Sequence, residues 1–275
     1  MARSGGRVLR SRLLRGTFTI PAVAYDRSAS GLSADGRVLV LIQPRLAFPR
    51  ARTSFAILDA RTLRLRRVLQ LQGDFSFDAI SPSGDRIYLI NYLSSRDPTK
   101  YAVRAYDLRA SRLLPNPVVD PHEADEQMRG QPISRATSPD GRWAYTLYDG
   151  NGKTPFVHAL DTSRGTARCI DLDALKGEKY LWDMRLAVRS GGKRLVVRNG
   201  LVPELVVNTR TFAVSKAPEQ GPASVARQGS SLTWPWAAGA SAIAVALAAA
   251  GLSLFATLRS TSTPGSPTRR SPTRT

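Results

Sequence analysis

The chain has 275 residues, 42% hydrophobic and 22% charged, which is the composition of an ordinary globular protein of one or two domains. Its formal charge is +19, and 34 of its 40 cationic side chains are Arg. A single Cys excludes an internal disulfide framework and a Cys-rich structural zinc site; two His, at 122 and 158, leave little for His-based metal or triad chemistry.

Residues 1–15 carry five Arg and no acid, and read as a basic, unstructured N-terminal segment. They lack the apolar core of about 7–15 residues that a signal peptide requires. The expectation drawn from this is a sequence that starts downstream of the true N-terminus, with a cytosolic, tail-anchored protein as the alternative.

Residues 16–216 read as the folded domain, and residues 31–214 within them are self-similar. Each unit opens on a Ser-x-x-Gly turn: Ser33–Gly36, Ser81–Gly84 and Ser138–Gly141, with a degenerate Ser190–Gly192. A strand is expected after each turn, over 38–42, 86–92, 143–148 and 195–198. A second strand ends on Asp or Asn, over 55–59, 103–107, 157–161 and 205–208. Further strands are expected over 63–71, 112–114 and 166–171, each started by the preceding Asp. Gly supplies the positive φ, and Asp the side-chain-to-backbone hydrogen bond, that tight hairpins need. Units of about 50 residues with four strands each are the mark of a propeller blade, not of a helical repeat. Gly16–Val23 is expected to be an outer strand completing the last blade. The fold class is therefore all-β: a β-propeller-like domain of about four four-stranded blades, complete or incomplete as a ring.

Residues 217–233 are small and polar, as a flexible linker is. From Ala237 to Leu258 there are 22 residues without a charge. As a helix these span roughly 33 Å, enough for a hydrocarbon core of about 30 Å. Trp234 and Trp236 precede the run and Arg259 closes it, so residues 234–258 read as one transmembrane helix. The tail, 259–275, has four Arg and no acid. Its charge places it in the cytoplasm and the repeat domain outside. Ala240, Ala244 and Ala248 form a small-residue stripe that would permit a weak homodimer through the helix.

Ser81-Pro82-Ser83-Gly84 followed by Tyr88-Leu89-Ile90-Asn91 resembles the YVTN-type propeller repeat, and Ala159-Leu160-Asp161-Thr162 resembles the end of its third strand. Over residues 20–258 the order of segments is similar to that of actinobacterial membrane-anchored YVTN/WD40-like β-propeller repeat proteins. Gly73–Pro82 and Gly141–Tyr148 also carry the resemblance, and Arg-heavy, Lys-poor usage fits a GC-rich genome. It implies a propeller domain, one C-terminal membrane helix and a signal peptide that this sequence lacks. It implies no catalytic residues.

Three places carry side chains capable of chemistry. Asp120-Pro121-His122-Glu123-Ala124-Asp125-Glu126 offers oxygen ligands to a hard cation, yet it matches no EF-hand loop and reads first as a solvated acidic insertion. His158 is equivalent by position to Ala56, Arg104 and Leu205, a variety that suggests a partly exposed strand site without a catalytic role. Cys169 reads as a small buried hydrophobe with no candidate His near it in sequence. In Arg61–Arg67 the alternation places Leu63 and Leu65 inward and Arg64 and Arg66 outward on an edge strand, where charge resists sheet-to-sheet pairing. No Walker loop, Rossmann glycine run, nucleophile elbow or His-Glu-x-x-His occurs. No catalytic, cofactor-binding or metal-binding residues are assigned. The expected partners are the lipid bilayer, through Ala237 to Leu258, and a protein or anionic envelope polymer, with no specific nucleic acid. The expected function is that of a non-enzymatic, membrane-anchored binding or scaffold protein displaying its repeat domain outside the cytoplasm. The alternative is a hydrolase or lyase with its site at the channel mouth.

Overall fold

The three Ser-x-x-Gly turns close with the same hydrogen bonds. Gly36, Gly84 and Gly141 each donate their N–H to the carbonyl of the turn Ser at 2.9 Å. The hydroxyls of Ser33, Ser81 and Ser138 accept from Val38, Arg86 and Trp143 N–H at 3.0, 3.0 and 2.8 Å. A second kind of turn recurs where Asp59, Asp107, Asp161 and Asn208 each take two backbone N–H groups two and three residues on. These two Asx- and Ser-based turns alternate along the chain and fold it into successive hairpins.

The computed structural model describes residues 8–123 and 128–218. Its strands are β1 (Val38–Ile42), β2 (Arg52–Asp59), β3 (Leu65–Gln72), β4 (Phe75–Ile80), β5 (Arg86–Tyr92), β6 (Tyr101–Asp107), β7 (Arg112–Val118), β8 (Pro132–Thr137), β9 (Trp143–Tyr148), β10 (Phe156–Asp161), β11 (Thr166–Asp171), β12 (Met184–Arg189), β13 (Arg194–Asn199), β14 (Val202–Asn208) and β15 (Val214–Lys216). They form four antiparallel meanders: β1-β2-β3, β4-β5-β6-β7, β8-β9-β10-β11 and β12-β13-β14-β15. In the first blade the place of an inner strand is taken by a short bridge, Leu32 to Leu39. The fold is all-β and propeller-like, as expected. The inner strands β4, β8 and β12 join the expected strands, and Leu63 lies in a turn at φ 57° instead of opening β3. Leu65, expected to face inward, is exposed at the start of β3.

Adjacent blades share apolar cores. Val38, Val40, Phe55, Phe75, Ile87 and their neighbours seal the first blade to the second. Tyr88, Val103, Val118, Leu160 and Ala167 seal the second to the third. Tyr145, Leu147, Val157, Met184, Leu195 and Val197 seal the third to the fourth. Among the described residues no such core joins the fourth blade to the first, so four blades make three interfaces.

The segment before the first blade runs along it and then reaches the third. Thr19 and Ile42 exchange backbone hydrogen bonds at 2.9 Å; Tyr25 and Asp26 donate to the carbonyls of Pro132 and Ile133 at 2.9 and 3.0 Å. Gly16–Val23 is therefore not the outer strand of the last blade. That place belongs to β15, which is contiguous with β14 and needs no long return of the chain.

The chain divides into two units, 1–221 and 222–275. The second unit lies outside the described residues, as do the expected membrane helix at 234–258, the tail at 259–275, most of the linker and residues 1–7. Among the described residues no helix is long and apolar enough to cross a membrane.

Candidate functional site

Two features stand out, a cleft at one rim and a polar row between the second and third blades. The cleft, of about 480 Å³, lies where β4 and β8 begin and where β5 turns into β6. Tyr25, Tyr92, Tyr101 and Tyr148 line it, together with Arg45 and Asp78. Three of these rings continue a relay that starts at Phe48: Phe48 to Tyr92 at 5.5 Å, Tyr92 to Tyr101 at 6.4 Å, and Tyr101 to Tyr148 at 6.0 Å between centroids. Tyr148 then stacks on Phe156 at 5.2 Å. Burial holds Tyr101 and Tyr148 in the un-ionised phenol form by pushing both groups up.

Arg45 is the fixed cation of this rim. Its guanidinium carbon lies 4.4 Å from the Tyr92 ring centre, and its Nη2 donates to Asp74 Oδ1 at 2.8 Å and to Ser76 Oγ at 3.0 Å. Asp74, which is buried, also accepts from the backbone N–H and Nε of Arg50, both at 3.1 Å. Two guanidiniums thus share one carboxylate and leave a net positive rim.

The polar row crosses the third blade, one residue per strand. Arg135, Thr146, His158 and Cys169 stand in register on β8, β9, β10 and β11. His158 shares its face with Leu160, and Cys169 with Ala167, so the row looks toward the second blade. At its inner end Arg135 forms a buried ion pair with Asp78, donating through Nη2 to Oδ1 and through Nη1 to the Asp78 carbonyl. At its outer end the Cys169 N–H donates to Asp120 Oδ2 at 2.9 Å.

Here the structure corrects several sequence expectations. Asp120 is buried, not part of a solvated insertion: its Oδ1 also accepts from the His122 backbone N–H and faces His122 Nδ1, both at 2.9 Å. Burial works against its charge, but the N–H donors of His122 and Cys169 hold the carboxyl below its ordinary range. His122 itself is exposed. Ala124, Asp125 and Glu126 lie outside the described residues. His158 is only 2% exposed, and burial pushes its imidazole down to about 4. Position-matched Ala56 and Leu205 are buried too, so the variety at this position reflects different neighbours in each interface. Cys169 does have a His beside it, directly across the ladder. That pairing was legible: counting three residues outward from the Asp161–Thr166 closing pair brings 158 opposite 169.

The sequence matches no protein-family model and no curated protein. Among solved structures it is similar to TolB from Acinetobacter baumannii, with 14% identity, a TM-score of 0.39, and coverage of 68% of this chain and 42% of that one. It is also similar to the β-propeller domain of Cps50 (Swd1) from Myceliophteria thermophila, at 12% identity and a TM-score of 0.43, covering 76% and 58%. A third is the β-propeller domain of the trilobed protease from Pyrococcus furiosus, at 12% identity and a TM-score of 0.39, covering 66% and 53%. The chain thus spans about half the length of these chains. Its own sheet order, recurring turns and inter-blade cores carry the assignment of the fold as β-propeller-like.

Proposed function

We propose that the protein is a non-enzymatic binding module whose partner docks in the tyrosine-lined cleft, and that residues 237–258 tether it to a membrane. The observation that carries the first part is the cleft. A concavity of several hundred Å³ is the size that ligands and peptide segments fill. Tyr and Arg are also the side chains that most often anchor an interface. Arg45 sits at the rim with its carboxylate partner shared, which suits an acidic segment of a protein or an anionic envelope polymer. The tether is supported by the 22-residue uncharged run, and the outward display of the domain by the four Arg of the tail.

The test places a photo-crosslinking residue at Tyr92 of the full chain in its native membrane. One dominant adduct, lost when Arg45→Ala and Tyr101→Ala are added, is the expected result. A diffuse background that those substitutions leave unchanged would remove the cleft as the docking site. Detergent phase partitioning of the same full chain tests the tether, and recovery in the aqueous phase overturns it.

A further inference from the structure

The tyrosine-lined cleft holds a buried polar atom that the protein leaves unused. Tyr101 is only 5% exposed, and among the described residues its hydroxyl finds no hydrogen-bond partner. Burial, together with the nearby oxygens of Tyr148, Asp78 and Tyr92, keeps that hydroxyl protonated, so the cleft wall carries an O–H donor without an acceptor. A buried donor of this kind is a cost that a bound acceptor removes. At the rim, Asp74 holds Nε and Nη2 of Arg45 and leaves Nη1 outside its grip. The aromatic lining also continues outward. Tyr25, exposed at the cleft, meets Trp182, just before β12, edge-on at 5.3 Å. Trp182 and Tyr180 are exposed as well. Along the lining, the main-chain N–H groups of Val23, Tyr25, Tyr92 and Gln131 are already bonded, to Ser28, Pro132, Asp74 and Asp149.

We propose, on the reading that the cleft is the docking site, that it binds an acidic polysaccharide whose sugars carry carboxylates. One sugar lies against Tyr101 and Tyr148 with its carboxylate at Arg45, and the chain runs outward over Tyr25 and Trp182. The donors decide between a sugar and a peptide. An extended peptide is held chiefly through its main chain, by the free backbone groups of a strand edge. Here the backbone donors named above are taken. What the cleft offers instead is side-chain hydroxyls, ring faces and one guanidinium. A sugar has a counterpart for each. Its oxygens accept from the Tyr101 O–H, its C–H faces lie on the aromatic rings, and its carboxylate meets Arg45 in a charge-assisted hydrogen bond. Arg45 and Arg50 over Asp74 leave a single positive charge, which matches one carboxylate per sugar. A cleft of about 480 Å³ takes a short stretch of sugars, and the exposed Tyr25–Trp182 corner carries the track beyond it, which suits a polymer.

The full chain in detergent is titrated calorimetrically with a galacturonate hexamer, with the methyl ester of that hexamer, and with octaglutamate. The expected result is that the free acid hexamer binds at least about tenfold tighter than either of the others. Arg45→Gln should erase its advantage over the ester. Trp182→Ala should weaken the hexamer roughly 5–30-fold, and Tyr101→Phe roughly 3–10-fold. Without sugar, Tyr101→Phe should melt no lower than the wild type, because it removes an unpaired buried hydroxyl; a hydroxyl with a purely structural role would lower the midpoint instead. Far-ultraviolet circular dichroism of each variant confirms that it is folded. The hexamer should also suppress the photo-adduct formed from position 92. No binding of the hexamer at millimolar concentration overturns the polysaccharide, as does binding that Trp182→Ala and Tyr101→Phe leave unchanged, or an ester bound as tightly as the acid. Octaglutamate bound as tightly as the hexamer and lost with Arg45→Gln, or a dominant protein adduct that the hexamer does not suppress, overturns the polysaccharide while the cleft stands as a docking site. A diffuse adduct background marks the separate failure of the cleft itself.

Discussion

His158 is the residue whose chemistry the fold alters most. Its ring lies within reach of the charges of Asp78, Arg135 and Asp120, edge-on to Tyr148 at 6.5 Å, but burial dominates and pushes it down to about 4. An unfolded His titrates near 6.5. Between about pH 4 and 6.5 the unfolded chain therefore holds a proton that the native chain does not, and stability rises with pH across this window. Acidification from pH 7 toward pH 4 should cost the protein up to about 3 kcal/mol through this group. The carboxylates that the fold holds below their ordinary range, such as Asp59, Asp107 and Asp161, withdraw their stabilisation only below about pH 4. The two effects are thus separable. Thermal midpoints of the full chain, taken from pH 7.0 to 4.5, should fall for the wild type and stay nearly level for His158→Gln. Equal slopes for the two proteins would show that His158 is protonated in the folded state.

At the scale of the element, the turn glycines report how blades stack. Gly36, Gly84 and Gly141 all have φ near +70°, a region that costs an L-residue about 1–2 kcal/mol. Their surroundings differ. A Cβ on Gly84 would lie 2.5 Å from Val38 Cγ2, and one on Gly141 2.6 Å from Ala34 Cβ, so the turns of the second and third blades are both pressed onto the first blade. A Cβ on Gly36 meets nothing within 4 Å, although Ser33 and Ala34 of the same turn are the residues that Gly84 and Gly141 approach. Gly36→Ala should therefore cost only the backbone strain, about 1–2 kcal/mol, while Gly84→Ala and Gly141→Ala should cost about 1–3 kcal/mol more through overpacking. Urea midpoints will rank them, and equal losses at all three positions would mean that Gly36 is as crowded as the other two glycines. The turns, the second and third strands and the blade repeat were legible in the sequence because the Ser, Gly and Asp side chains that build them act locally. The inner strands were not. Phe75–Ile80 carries Asp78, and Pro132–Thr137 carries Arg135, so each breaks its apolar pattern with a charge that makes sense only across an interface. The cleft was hidden for the same reason, since its tyrosines come from β5, β6, β9 and the N-terminal segment and meet only when blades pack.

For the folded unit, three interfaces among four blades make stability uneven. The second and third blades are covered on both faces, and share the Asp78–Arg135 pair as well as an apolar core. A buried pair of this kind adds little net stability but penalises any separation of the two blades, because either charge left alone is costly. The first blade has one apolar interface, yet the segment at 19–33 bonds it to itself and to β8. The fourth blade has one interface, no ion pair among the described residues, and Arg185 opposite Arg198 and Arg189 opposite Arg194 on β12 and β13. Like charges directly opposed in a ladder repel. Leu195, Val197, Leu205 and Val207 still bind this blade to the third through one face, so it opens as a unit and does not fray strand by strand. Native-state hydrogen exchange of the full chain should therefore show a gradient along the stack. The amides of β5, β6, β9 and β10 should exchange slowest, near the global unfolding limit, and those of β13 and β14 at least about tenfold faster, a gap of about 1.4 kcal/mol or more in opening free energy. Uniform protection of the second and fourth blades would require a fourth interface that closes the ring, and with it a covering for the arginine-bearing face.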